Sequence, residues 1–163
     1  LTDKGFSLEF ATSALMLLMF CGAFGRILGG MLGDYIGALP GYILMSLGQT
    51  VFVIWFPHLI SPSTIYIMAA LFGFTYSGVM SSILVCTRMM VSAKYGARAM
   101  SLTSFFGWIG MGLGGFLGGY FFDIYGDYIW AFTFAGISGV INLFILFLFT
   151  LYIRKKRTLS FEQ

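Results

Sequence analysis

Arg26 stands alone as a charge inside a long run of apolar and glycine residues, and Asp34 is the next charged residue downstream. Eight residues of helix separate them, about 12 Å at 1.5 Å per residue, too far for easy snorkelling to a membrane surface. An arginine at such depth costs roughly 3 kcal/mol or more on insertion scales, so it should face a cavity and have a partner. Its planar fork of donors matches a carboxylate with two parallel hydrogen bonds, so the chemistry expected of it is anion binding. The competing role is structural, a guanidinium bonded to backbone carbonyls or packed between helices. Tyr76, Trp108 and Asn142, together with Gln49, are polar or amphipathic groups well inside other apolar runs. Each must find a hydrogen bond within the bundle or in a wet cavity. Tyr76, Trp108 and Asn142 join Arg26 as candidate substrate contacts, with interhelical bonding as the plainer alternative.

Other chemistry is poorly supplied. The acids Asp3, Glu9, Asp34, Asp123, Asp127 and Glu162 all fall at run ends, in connections or in the tail. Proton coupling generally uses a buried acid, so any such acid is expected in a part of the protein outside this sequence, or a membrane protein of this kind would work as an exchanger or uniporter. His58 follows Pro57 in a connection, where it reads as a surface side chain. Cys21 and Cys86 sit in separate apolar runs without the Cys/His company a zinc site needs. They read as packing residues. No metal or cofactor is expected, and one loop histidine with scattered serines offers no nucleophile–base pair for an enzyme.

The elements that must position Arg26 follow from composition. Of the 163 residues 59% are hydrophobic and only 9% charged, too little polar surface for a water-soluble domain, and the mean hydropathy is +0.93. Five runs reach the roughly 20 apolar residues that a bilayer core requires: 11–33, 40–60 (interrupted by Pro57 and His58), 64–86, 99–122 and 129–153. The breaks between them, 34–39, 61–63, 87–98 and 123–128, carry polar or turn residues, and Pro40 is suited to opening a helix because its missing N–H is unpaired there anyway. The expected fold is an all-α integral membrane protein of five antiparallel, consecutive helices.

Orientation follows from the basic residues. Arg88, Lys94, Arg98, Arg154, Lys155, Lys156 and Arg157 fall on one side, and Lys4 alone on the other. The tail 154–163 is therefore expected in the cytoplasm. Basic residues clustered at span ends form a topology signal, with no spread-out patch for nucleic acid.

The first run ends Leu28-Gly29-Gly30-Met31-Leu32-Gly33-Asp34-Tyr35-Ile36-Gly37, and the fourth ends Leu117-Gly118-Gly119-Tyr120-Phe121-Phe122-Asp123-Ile124-Tyr125-Gly126. Both read L-G-G-x-x-x-D-x-x-G, one running inward and the other outward. Glycine-rich helix ends can match by chance, but an inverted repeat is a common construction of secondary transporters. As a repeat it makes runs three to five one complete three-helix unit and leaves the first unit one helix short. With the odd number of spans and the absent initiator methionine, this leads us to expect a fragment with a helix missing upstream. Gly25, Gly29 and Gly33, like Gly110, Gly114 and Gly118, have the four-residue spacing that lets helix backbones approach.

At these residues the sequence resembles a known family. The stretch from Gly25 through Asp34 to Gly37 resembles the loop signature that major facilitator proteins carry after the second helix of each half. The stretch from Gly110 to Phe132 resembles the eleventh and twelfth helices of the monocarboxylate-transporter-like and oxalate:formate-antiporter-like branches. The resemblance implies helices eight to twelve of a twelve-helix fold, part of its second six-helix half, with the N-terminal half as a missing partner. It implies that Asp34 caps a facing helix N-terminus, which makes Gly30, Asp34 and Gly37, with the repeat counterparts Gly119 and Asp123, the gating candidates; plain packing is the alternative for the glycines and an ordinary helix end for Asp123. It supports Arg26 as an anion site, since related carboxylate carriers place an arginine on their eighth helix. Two departures stand out: Tyr35, Ala38 and Leu39 replace the basic residues usual after the aspartate, and run 99–122 lacks the lysine of the oxalate exchangers, which argues against a dicarboxylate.

The expected function is secondary transport of a small organic anion, a monocarboxylate, by alternating access in a plasma or bacterial inner membrane. The alternatives are a major facilitator carrier of another solute class, such as a sugar or drug exporter, and a channel subunit. A channel would want a filter or a ring of like charges, and none is visible in the sequence.

Overall fold

The computed structural model describes residues 1–159. Its long elements are α1 (Leu8–Ile36), α2 (Ala38–Trp55), α3 (Pro62–Met90), α4 (Gly96–Tyr125) and α5 (Ile129–Leu159). Single 3₁₀ turns at Thr2–Lys4, Phe56–His58 and Ala93–Tyr95 complete the described residues, which contain no strand. All five spans are long and apolar enough to cross a membrane.

Local signals set the ends. The Ser7 hydroxyl accepts from the Phe10 N–H at 3.2 Å and caps α1, whose first turn also carries Glu9, favourable beside the positive helix end. Pro62 occupies the first turn of α3, and the Asp127 carboxylate accepts from Ile129 N–H at 2.9 Å where α5 begins. The final glycine of each repeat copy ends its helix with a positive φ, +97° at Gly37 and +72° at Gly126, a conformation that costs a side-chain-bearing residue far more.

Several boundaries differ from the sequence expectation, among them the end of α2 at Trp55, short of the expected 60, with a 3₁₀ turn at Phe56–His58 after it. The break expected at 34–39 is the single residue Gly37, because α1 continues through Asp34 to Ile36 and α2 starts at Ala38. Pro40 therefore sits within the first turn of α2, where its missing N–H costs nothing, instead of opening the helix. The helices also outrun the apolar runs: the 29 residues of α1 and of α3 span about 44 Å, the thickness of the core plus both headgroup layers. Arg88 sits in the last turn of α3.

The packing centres on α1 and α3. They run parallel, and the residues that meet keep step along both. Ser13 and Tyr66 oxygens lie 2.5 Å apart, Gly22 faces Ser77, Gly25 faces the Phe74 carbonyl and Gly29 faces Gly78. The Ser82 hydroxyl donates to the Gly29 carbonyl at 3.2 Å. Glycine makes this approach possible: a Cβ on Gly29 would lie 2.9 Å from the Gly78 Cα. Gly33 serves the α1–α2 corner, where a Cβ on Gly41 would lie 3.2 Å from the Gly33 Cα. The first glycine set thus does what its spacing implies. In contrast, Gly110, Gly114 and Gly118 of α4 have nothing within 4 Å of an added Cβ.

Helix α2 lies between α3 and α5. Tyr42 donates its hydroxyl to Asn142 Oδ1 at 3.3 Å, and Asn142 Nδ2 donates to Ser46 Oγ at 3.4 Å. Ala38, Leu39, Tyr42, Cys86 and Leu146 form a buried cluster where α2, α3 and α5 meet, so Cys86 is the packing residue its apolar context implied. Helix α4 buries no residue and is held along one edge by α3 and α5.

Candidate substrate cavity

Arg26, Tyr76 and Trp108 come together. They line one cavity of about 330 Å³ where α1, α3 and α4 converge, with Ser81, Thr103 and Ser104 completing its polar lining and aliphatic and methionine side chains the rest. The glycine seam places them. Arg26 follows Gly25 on the flank of the α1 face that touches α3, so the close backbone approach carries it toward Tyr76 across the seam.

Their depths agree. Arg26 is ten residues from the end of α1, Tyr76 fourteen from the end of α3 and Trp108 twelve from the start of α4. At 1.5 Å per residue these are about 15, 21 and 18 Å from one end of the bundle, close to the middle of the helices. Thr103 lies nearer that end, its hydroxyl 3.3 Å from that of Thr87, a pair that ties α4 to α3 at the edge of the cavity.

The aromatic wall is braced from behind. Phe132 stacks on Phe56 at 5.5 Å between ring centroids, Phe56 leans on Phe72 at 6.3 Å, and Phe72 stacks on Tyr76 at 5.8 Å. The Tyr76 ring is thus held at the cavity by a chain of rings running back to α5. Trp108 is 72% exposed in this chain, leaving most of its ring open.

Arg26 is exposed to this cavity side and has no hydrogen bond or ion pair among the described residues. The structural alternative, a guanidinium bonded to backbone carbonyls, is not the arrangement observed. A cation at mid-helix depth with a hydroxyl-bearing, aromatic-walled cavity beside it can pair with an anionic group that enters from outside the bundle.

Asn142 is not in this site. Its hydrogen bonds to Tyr42 and Ser46 make it a link between α2 and α5, and it borders a separate groove with Gln49 and Thr50. Asp34 and Asp123 are exposed near the ends of α1 and α4, Gly30 and Gly119 have open space around them, and Gly37 is the single-residue joint between α1 and α2. Asp34 caps no helix within the described residues: α2 starts at Gly37 without a side-chain cap. Ser81, Thr103 and Ser104 escaped the sequence reading, since hydroxyl residues in a span commonly bond their own helix, as Thr103 does to the Ala99 carbonyl at 3.0 Å.

The Major Facilitator Superfamily profile matches residues 1–163, and the chain belongs to that family of membrane transporters. It is therefore an integral membrane protein, whose five apolar helices are part of the family's helical fold. Among curated proteins it is similar to the riboflavin transporter MCH5 of Saccharomyces cerevisiae, 31% identical over 100 residues. That match takes in 60% of this chain but only 19% of the yeast protein. No solved structure matches it significantly.

Proposed function

We propose that the protein to which this chain belongs carries a small organic anion, a monocarboxylate, by alternating access, and that Arg26 binds the carboxylate. The observation that carries this reading is the unpartnered guanidinium at mid-helix depth, opening on a cavity shared with Tyr76 and Trp108. A substrate carboxylate supplies the missing counter-charge, and Tyr76 and Trp108 contact its apolar body. The single cation favours one carboxylate over two. Alternating access then requires a second half to close over the cavity, with Asp34, Gly30 and Gly37 at one mouth and Gly119 and Asp123 at the other as the moving contacts. The tail, on the strongly basic side, lies in the cytoplasm of a cell bearing this protein in its plasma or inner membrane.

A second reading rests on the yeast relative and on the open Trp108 ring: a planar heteroaromatic solute held by stacking. One experiment separates them. Binding per folded molecule is measured for wild type, Arg26→Ala, Arg26→Lys and Trp108→Ala of the full-length protein, across mono- and dicarboxylates and riboflavin. A charge-assisted pair contributes about 1.5–3 kcal/mol, so Arg26→Ala should weaken the best monocarboxylate about tenfold to a hundredfold. Arg26→Lys keeps the charge and loses the fork, and should recover part of that. Unchanged affinity in a well-folded Arg26→Ala protein overturns the anion site. Riboflavin binding that depends on Trp108 and not on Arg26 establishes the second reading instead.

A further inference from the structure

A cavity of about 400 Å³ lies at the corner where α3 ends and α4 begins, lined by Arg88, Val91, Ala93, Gly96, Ala97 and Met100. We infer that it binds the headgroup of an anionic phospholipid, with the lipid phosphate on Arg88. This inference stands apart from the transported solute.

Charge is the first argument. Arg88, Lys94 and Arg98 all fall within residues 88–98, while the sequence has no acid from Tyr35 to Phe122. Among the described residues Asp34, close to the end of the parallel helix α1, is the acid at this end of the bundle. It makes no ion pair with them, and Arg88 and Arg98 have no hydrogen bond or ion pair among the described residues. The Lys94 ammonium rests over the Tyr95 ring, 5.6 Å from its centroid, a contact that leaves its charge uncompensated. The first turn of α4 carries no acid and no side-chain cap, so nothing of the chain's own competes for the anion. Three cations held this close raise the local potential and draw an anion from outside.

Location supplies the anion. Helices α3 and α4 are consecutive spans, and the non-helical backbone that joins two spans is kept out of lipid hydrocarbon. The corner at 91–95 therefore lies at a membrane surface, the layer that holds the lipid phosphates.

The lining decides between a lipid and a free anion. Apart from Arg88, every wall of the cavity is aliphatic, glycine or methionine. An inorganic phosphate would pair with Arg88 on one side and turn its other oxygens toward apolar groups, which is unfavourable. A phospholipid has the matching polarity, a phosphate for the guanidinium and a glycerol with its first acyl carbons for Val91 and Met100. The headgroup would touch α3 at Arg88 and α4 at Ala97 and Met100, bracing the pair of helices that Thr87 and Thr103 already link.

The test uses the full-length protein in detergent and reads lipid binding per folded molecule by native mass spectrometry. The probes are dioleoylphosphatidylglycerol and dioleoylphosphatidylcholine, with inorganic phosphate as competitor. Phosphatidylglycerol should bind the wild type more tightly than phosphatidylcholine. Arg88→Gln should weaken it about fivefold to tenfold, near what one basic residue contributes at an anionic surface, and Arg88→Lys should keep part of the affinity. Ala97→Leu narrows the cavity while leaving every charge in place, and should weaken binding comparably. Lys4→Gln, at the opposite end of the bundle, should change nothing. Unchanged phosphatidylglycerol affinity in Arg88→Gln or in Ala97→Leu, or equal binding of the two lipids, overturns the inference. So does an equal loss in Lys4→Gln, which would mean diffuse attraction, or displacement of the lipid by millimolar phosphate, which would mean a free-anion site.

Discussion

Gly29 and Gly78 face each other across the parallel α1–α3 seam with no room for a single added carbon, a Cβ on Gly29 falling 2.9 Å from the Gly78 Cα. In a membrane, where helices gain nothing from leaving lipid for one another's apolar surface, such close backbone packing is what holds them together. The seam also sets the distance between Arg26 on α1 and Tyr76 on α3, so the same glycines that bind the bundle dimension the cavity.

Gly29→Leu should be among the most damaging single substitutions in this chain. The obstructing atoms are backbone, which cannot swing aside, so the helices must separate or shift. Overpacking of this kind costs about 1–3 kcal/mol or more. A lower melting temperature in detergent, with a smaller monodisperse fraction on size exclusion, is the expected result. Wild-type stability would show that α1 and α3 do not meet at this register.

Gly30, one residue on, has open space around it. Gly30→Leu and Asp34→Asn should therefore leave folding of this bundle near wild type while slowing transport, if the 30–37 segment is a moving contact between halves. Transport and thermal stability measured side by side in proteoliposomes distinguish the two. Loss of stability in step with transport would remove the gating role.

Asn142→Leu keeps the approximate volume but breaks the link to Tyr42 and Ser46. Interhelical hydrogen bonds in membranes average about 0.6 kcal/mol and reach about 1.7 kcal/mol. A modest drop in stability with substrate affinity unchanged is expected. A large loss of affinity would return Asn142 to the binding site.

The end of α5 should face the cytoplasm. A reporter that folds only inside the cell, fused after Gln163 in the full-length protein, should be active, and one that works only outside should be silent. The reverse pattern would overturn the topology. The attachment point lies beyond the described residues, so the reporter tests orientation alone.

Much of this architecture is legible in the residues one by one. Five spans follow from runs such as 129–153 because a bilayer accepts no other long, uncharged segment except a helix. Helix stops at Gly37 and Gly126 follow from the repeat, since glycine alone adopts a positive φ without penalty. Arg26 stands out because a charge in an apolar run is too costly to be incidental. What the sequence by itself could not decide is which of its glycine stripes and mid-span polar groups meet. Gly25 and Gly114 sit in like contexts, yet one is pressed against α3 and the other faces an open groove. Trp108 and Asn142 looked equivalent, yet one joins Arg26 at the cavity and the other binds α2 to α5. Those assignments depend on which helix lies beside which, a matter of packing between segments some fifty to a hundred residues apart (Gly29 to Gly78, Tyr42 to Asn142). Periodicity within one helix carries no information about its neighbour, so only the assembled bundle settles them.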